Sequence, residues 1–129
     1  MILDTDILVA LLKGKPDATK AMSVLEGKNG EVATTIITVY ELLKGAYSSS
    51  KPKENLTKVQ NVISNLQVLN LSFQACEEAS KIYQDFRQAG RLIGEFDVLI
   101  AAIARTYDET IMTRDGHYSF IRGIKVTEW

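Results

Sequence analysis

The sequence predicts an α/β fold built on a short, mostly parallel five-stranded sheet flanked by helices. Two observations carry this. Short apolar segments alternate with segments of helical periodicity along the whole chain, the pattern of a parallel sheet covered by helices. No repeat, low-complexity tract or long linker interrupts the 129 residues, so residues 1–129 read as one domain around one core.

Each element follows in order. Ile2-Leu3-Asp4 reads as a short buried strand, and Asp6 to Lys13 as a helix stopped by Gly14. Pro16 opens a second helix that runs to about Glu26, and Gly27-Lys28-Asn29-Gly30 is a turn. Glu31 to Thr35 is a strand and Thr38 to Tyr47 a helix. Ser48-Ser49-Ser50-Lys51-Pro52 is the only linker-like stretch, too short to separate domains. Leu56 to Leu66 is helical, with Leu56, Val59, Val62, Ile63 and Leu66 on one face. Gln67 to Leu71 is a third strand, followed by a long helix from Phe73 to Gln88 that Gly90 ends. Phe96 to Tyr107 is an apolar helix, Thr110 to Thr113 a fourth strand and Ile124 to Val126 a fifth.

Composition narrows the function classes. The hydrophobic share is 46% and the charged share 24%, ordinary for a soluble globular chain. A net charge of −1 supplies no overall basic field, so any polyanion site must be a local patch. Cys76 is the only cysteine, which excludes an internal disulfide and a cysteine metal cluster. The longest apolar runs, Ile7–Leu12 and Val98–Ala104, fall far short of the ~20 residues that span a bilayer. Asp4 and Asp6 break the apolar core that a signal peptide needs. The expected setting is the cytoplasm, with no membrane partner.

The opening MILDTDILVALLKG sets Asp4 and Asp6 in apolar surroundings, where an unpaired carboxylate is costly. In parallel sheets, ligands bind at the carboxyl ends of the strands. Asp4 and Asp6 follow the first strand, Asp115 follows the fourth, Glu41 lies in the helix after the second, and Asp97 opens an otherwise apolar helix. All five can converge at one end of the sheet. Helix N-termini favour Asp6, Glu41 and Asp97, yet partial dipoles cannot offset four or five like charges. Either some carboxyls hold their protons or divalent cations join them.

Each acid also has a plainer reading. Asp6 could cap its helix. Thr38-Val39-Tyr40-Glu41 has capping-box spacing, with Glu41 at the third helical position. Asp115-Gly116 is a favoured turn pair, and Asp97 could be a first-turn acid facing solvent. Asp4, on the strand itself, resists such a reading most.

A site of carboxylate oxygens with room for water suits Mg²⁺ or Mn²⁺ and suggests phosphate-ester hydrolysis. Zinc fits poorly, because His117 is the only histidine and Cys76 lies mid-helix. Cys76 reads as a small core residue and His117 as a loop residue without a ligand-type partner at metal spacing. Neither GxGxxG nor GxxxxGK[ST] occurs. Lys13 and Lys15, Lys51 and Lys53, and Arg114, Arg122 and Lys125 read as solvated surface, or as backbone contacts for a polyanion if they ring the acidic end.

Together the segments MILDTDILVALLKG, TTIITVYELLKGAY and RLIGEFDVLIAAIARTYDETIMTRDGHYSFIRGIKV, with the closing Trp129, resemble the PIN-domain ribonucleases, and specifically the VapC toxins of prokaryotic toxin–antitoxin pairs. They occur in family order across essentially the whole chain. The resemblance implies a PIN-like three-layer α/β fold and a Mg²⁺/Mn²⁺-dependent endoribonuclease. Its acids fall on Asp4, Glu41, Asp97 and Asp115, with Asp4, Asp97 and Asp115 as metal ligands and Thr113 as a polar neighbour. Asp6 occupies a place where such toxins carry Asn or Asp. It also implies an RNA substrate, a VapB-like antitoxin that occupies the active site, and a homodimer. One departure stands out: family members often carry an acid after the TRD and before the next Phe, whereas Gly116-His117-Tyr118-Ser119-Phe120 has none.

Three rivals are distinguishable. Asp4-Thr5-Asp6 resembles the DxD start of haloacid-dehalogenase-type phosphatases, with Asp4 as nucleophile. That pattern wants Thr or Val where Leu8 stands, and paired acids after a strand where Asp97 opens a helix. A receiver-like signalling domain needs a phosphoacceptor Asp after the third strand, where Ser72 and Phe73 lie instead. A non-catalytic acidic binding pocket would bind without cleaving.

Overall fold

The computed structural model describes residues 1–28 and 30–129. Its elements run β1 (Ile2–Leu3), α1 (Thr5–Leu12), α2 (Pro16–Gly27), β2 (Ala33–Thr35), α3 (Ile36–Tyr47) and α4 (Pro52–Ile63). They continue with β3 (Gln67–Leu69), α5 (Phe73–Gln88), α6 (Glu95–Thr106), β4 (Thr110–Met112), a short 3-10 helix (Gly116–Phe120) and β5 (Lys125–Thr127). The five strands form one sheet in the order β3-β2-β1-β4-β5, and every neighbouring pair is parallel.

The alternation of side chains along a strand explains the layering. Ile2 and Ile111, in register on β1 and β4, join one core with Ala33, Ile82, Phe86 and the apolar residues of α6. Leu3 and Met112, the next pair, join the opposite core with Ile7, Leu8, Leu42, Ala46 and Val59. Helices α5 and α6 therefore cover one face, and α1 to α4 supply the apolar side chains of the other. Helix α6 is apolar nearly all round because Val98 and Ile100 to Ala104 are all buried. Each fully buried Ile or Leu contributes about 1.5–3 kcal/mol over its exposed state.

The boundaries differ from expectation where caps decide them. Asp4 lies beyond the strand and caps α1, so Asp6 sits inside the first turn and does not cap. Thr35 Oγ1 accepts the N–H of Thr38, which starts α3 at Ile36. Glu41 is therefore in the second turn, and no Thr38–Glu41 capping box forms. Pro52 opens α4 from within the expected linker, as its fixed φ suits the first helical turn. Gly14 and Gly90, at φ +68° and +67°, end α1 and α5 in the left-handed region that glycine enters freely. The turn expected over Gly27–Gly30 includes Asn29, which lies outside the described residues.

Cys76 is exposed, not a core residue. The buried stripe of α5 is Ala75, Ala79, Ile82 and Phe86, and the next position along a helix is turned ~100° away. No helix among the described residues is long and apolar enough to cross a membrane.

Candidate active site

Strand β1 is the point at which the sheet order turns back, since β2 and β3 extend one way and β4 and β5 the other. Asp4 leaves β1 at that point, its N–H donating to the Met112 carbonyl at 3.1 Å. Thr113 to Asp115 leave the neighbouring β4. Helix α3 brings Glu41 and the first turn of α6 brings Asp97. Asp4, Asp6, Glu41, Asp97 and Asp115 all line one cavity of about 390 Å³, together with Thr5 and Val9. The convergence expected from sequence is observed for all five acids.

Their surroundings divide them. Asp6 is satisfied by the protein itself: its two oxygens accept from the Ile7 and Arg114 N–H groups at 2.6 and 2.7 Å and from Trp129 Nε1 at 3.3 Å, with Thr113 Oγ1 3.2 Å away. It fastens the chain after β4 to the start of α1. Asp4 is 5% exposed and accepts from the Thr5 N–H at 2.8 Å and Thr113 Oγ1 at 2.7 Å. Glu41 accepts from Thr5 Oγ1 at 2.9 Å, which leaves most of its acceptor capacity toward the cavity. Asp97 makes no cap bond to its own helix.

Two residues that sequence reading did not place in the site belong to it. Tyr118 is fully buried, and its hydroxyl lies 3.4 Å from Asp4 Oδ1 and 3.5 Å from Asp97 Oδ1. His117 Nδ1 lies 2.8 Å from Asp115 Oδ1 and 3.7 Å from Asp97 Oδ2. The expectation that His117 lacks a ligand-type partner is thus corrected. Its partners are two residues back and on a different helix, a grouping that motif spacing does not reveal. The 3-10 turn that carries both residues, capped by Asp115 accepting the His117 N–H at 2.9 Å, also went unread.

Electrostatics mark the cluster as short of positive charge. Burial, helped by the charges of Asp6 and Asp97, pushes the Asp4 carboxyl up to about 6, against the bonds from Thr113 and Thr5. Burial also raises Asp97, with Asp115 and Glu41 adding to it and His117 opposing. Tyr118 is raised by burial and by the carboxylates beside it, so its hydroxyl keeps its proton. Among the described residues, no Lys or Arg pairs with Asp4, Glu41, Asp97 or Asp115. Lys13 and Lys15 are exposed. Arg114 is committed elsewhere: it bonds Asp17 at 2.9 Å and the Trp129 carbonyl at 2.7 Å, and lies 3.6 Å over the Trp129 ring.

The PIN domain family model matches residues 1–123. Ribonuclease VapC2 of Haemophilus influenzae is 31% identical over 105 residues, spanning 81% of this chain and 78% of that protein. The chain belongs to the PIN-domain family of VapC ribonucleases. Among VapC relatives, the tRNA(fMet)-specific endonuclease VapC of Shigella flexneri is 28% identical over 129 residues, covering 99% of this chain and 96% of the relative. The crystal structure of VapBC2 from Rickettsia felis, bound to a DNA fragment from its promoter, aligns with a TM-score of 0.92 at 25% identity, covering 99% and 97% of the two chains. The DNA-bound VapBC structure from Salmonella typhimurium aligns at 0.91 with 28% identity, covering 99% and 96%. The three-layer fold is therefore the VapC fold.

The donors fit a divalent cation. They are mostly carboxylate oxygens on separate elements, they are mutually repulsive, and among the described residues no lysine or arginine pairs with Asp4, Glu41, Asp97 or Asp115. An octahedral, partly hydrated ion prefers such a set.

Proposed function

We propose that this VapC-family chain is a divalent-metal-dependent endoribonuclease toxin whose working residues are Asp4, Glu41, Asp97 and Asp115. The observation that carries this reading is four carboxylates from four elements lining one cavity without a lysine or arginine partner. Asp4, Asp97 and Asp115 hold Mg²⁺ or Mn²⁺, and Glu41, in the second turn of α3, accepts a proton from water. When bound, such an ion supplies charge neutralisation at the phosphodiester and makes water a better nucleophile near neutral pH. Thr113 aims Asp4 by donating to it, and Asp6 holds the chain between Thr113 and Asp115. Lys13 and Lys15 reach the RNA backbone, and Arg114 does so once it leaves Asp17.

The substrate is RNA, and the tRNA(fMet) specificity in the name of the Shigella relative makes that tRNA the first to try. One PIN domain fills residues 1–129, and the protein acts in the cytoplasm. A VapB-like antitoxin inhibits it by laying apolar residues in the groove of about 590 Å³ lined by Val9, Leu12, Leu42, Ala46 and Val59, which reaches Glu41. A homodimer forms over exposed apolar residues such as Ile36 and Tyr40 on α3 and Phe73 on α5. The haloacid-dehalogenase reading has no support: Asp4 is nearly buried and already bonded by Thr5 and Thr113, a poor nucleophile.

The test is incubation of purified protein with pooled RNA, tRNA(fMet) included, with and without millimolar Mg²⁺ or Mn²⁺. Discrete internal cleavage that a chelator stops is expected. Intact RNA in both metals would refute the reading.

A further inference from the structure

We propose that His117 is itself a ligand in this site, giving the ion an imidazole nitrogen and turning its preference from Mg²⁺ toward Mn²⁺ and softer first-row metals. The proposal rests on the metal-dependent reading above and adds a ligand to it. Three observations support it.

The first is geometric. His117 Nδ1 stands 2.8 Å from Asp115 Oδ1 and 3.7 Å from Asp97 Oδ2. Asp97, Asp115 and His117 each offer a donor atom within 4.8 Å of the others'. Neighbouring ligands on an octahedron with bonds of about 2.1 Å lie about 3 Å apart. These donors thus match the spacing of ligands around one ion with only side-chain adjustment.

The second concerns exposure. The His117 side chain is 70% exposed, so core packing does not hold it there. It is placed by the 3-10 turn, where Asp115 accepts the His117 N–H and brings the ring back over its own carboxylate.

The third is local sequence. The stretch between Asp115 and Phe120 offers only His117 as a side chain of metal-ligand type. An imidazole among carboxylates carries a chemical consequence. Mg²⁺ is a hard ion that favours oxygen, whereas imidazole suits the later first-row metals and affinity rises from Mn²⁺ onward.

His117 is the sole histidine, so any imidazole nitrogen coupled to a bound metal in tag-free protein must be its own. The experiment is pulsed electron paramagnetic resonance of Mn²⁺-loaded wild-type and His117→Gln protein, with Mn²⁺ and Mg²⁺ affinities measured by titration calorimetry. His117→Asp serves as a third arm. The expected result is nitrogen modulation in wild type that is lost in His117→Gln. Mn²⁺ affinity should fall by about tenfold or more, the scale on which even outer partners of metal ligands act. Mg²⁺ affinity should hold in His117→Gln and rise in His117→Asp. Tight Mn²⁺ binding without nitrogen modulation, equal in wild type and His117→Gln, would overturn the proposal and leave the carboxylate site standing. Failure of wild type to bind Mn²⁺ at all would overturn the proposal and the metal-dependent reading together.

Discussion

Thr113 donates its hydroxyl to Asp4 at 2.7 Å, joining the ends of the adjacent strands β1 and β4 through one hydrogen bond. The same oxygen accepts the N–H of Asp115 at 3.0 Å and lies 3.2 Å from Asp6. A hydroxyl has one proton, so the shorter contact to Asp4 takes it. Two of the five acids, Asp4 and Asp115, are therefore set by one threonine. Thr113→Val keeps the shape and removes the O–H. Loss of a hydrogen bond to a charged group costs about 1.5–3 kcal/mol, so the metal-free variant should be destabilised by that amount in urea, while Thr113→Ser keeps most of it. An unchanged midpoint for Thr113→Val would show that the bond does not hold Asp4.

Asp97→Asn separates catalysis from stability. Burial and the charges of Asp115 and Glu41 disfavour the Asp97 carboxylate, and it makes no cap bond. Without metal, the asparagine variant should be at least as stable as wild type. Loss of a working cap would instead cost about 1 kcal/mol. Urea denaturation in chelator distinguishes the two.

The pH dependence follows from Asp4, whose carboxyl is pushed from 3.8 up to about 6, chiefly by burial. The folded state holds this proton more tightly than the unfolded chain. That contribution is complete below pH 3.8 and is lost as pH rises through about 6. Metal-free wild type should therefore lose stability relative to Asp4→Asn across this window, by roughly 3 kcal/mol at most. Denaturation in chelator from pH 4 to 7 measures it, and a constant difference between the two proteins would contradict it.

Metal should reverse that loss. An ion that binds only the folded protein at 100 times its dissociation constant stabilises it by about 2.7 kcal/mol. The melting temperature should rise with millimolar Mn²⁺ in wild type and much less in Asp97→Asn. Equal shifts in both would move the binding site away from Asp97.

The sheet, the order of its elements and the gathering of five acids were legible because apolar periodicity and strand-end position are local signals. Cap positions were less so. Whether Thr35 or Thr38 starts α3 depends on which hydroxyl meets an N–H, and that choice moved Glu41 from the first turn to the second. The roles within the acid cluster were hidden for a different reason. Asp6 and Asp115 look alike in sequence, yet only Asp6 is claimed by three N–H donors, one of them Trp129 at the far end of the chain. Tyr118 and His117 reached the site through a 3-10 turn that has no sequence period of its own. Cys76 misled because free cysteine is usually buried, and one position on a helix separates a core residue from an exposed one.

If the carboxylates around Asp4 and Asp97 cleave RNA with a divalent ion, single-turnover cleavage of tRNA(fMet) and pooled RNA in millimolar Mn²⁺ separates wild type from Asp4→Asn and Asp97→Asn proteins shown to be folded. Wild type should cleave, and each variant should be slower by roughly 100-fold or more, the scale of losing one electrostatic partner of the transition state. Wild-type rates in either folded variant would show that its carboxylate takes no part in cleavage.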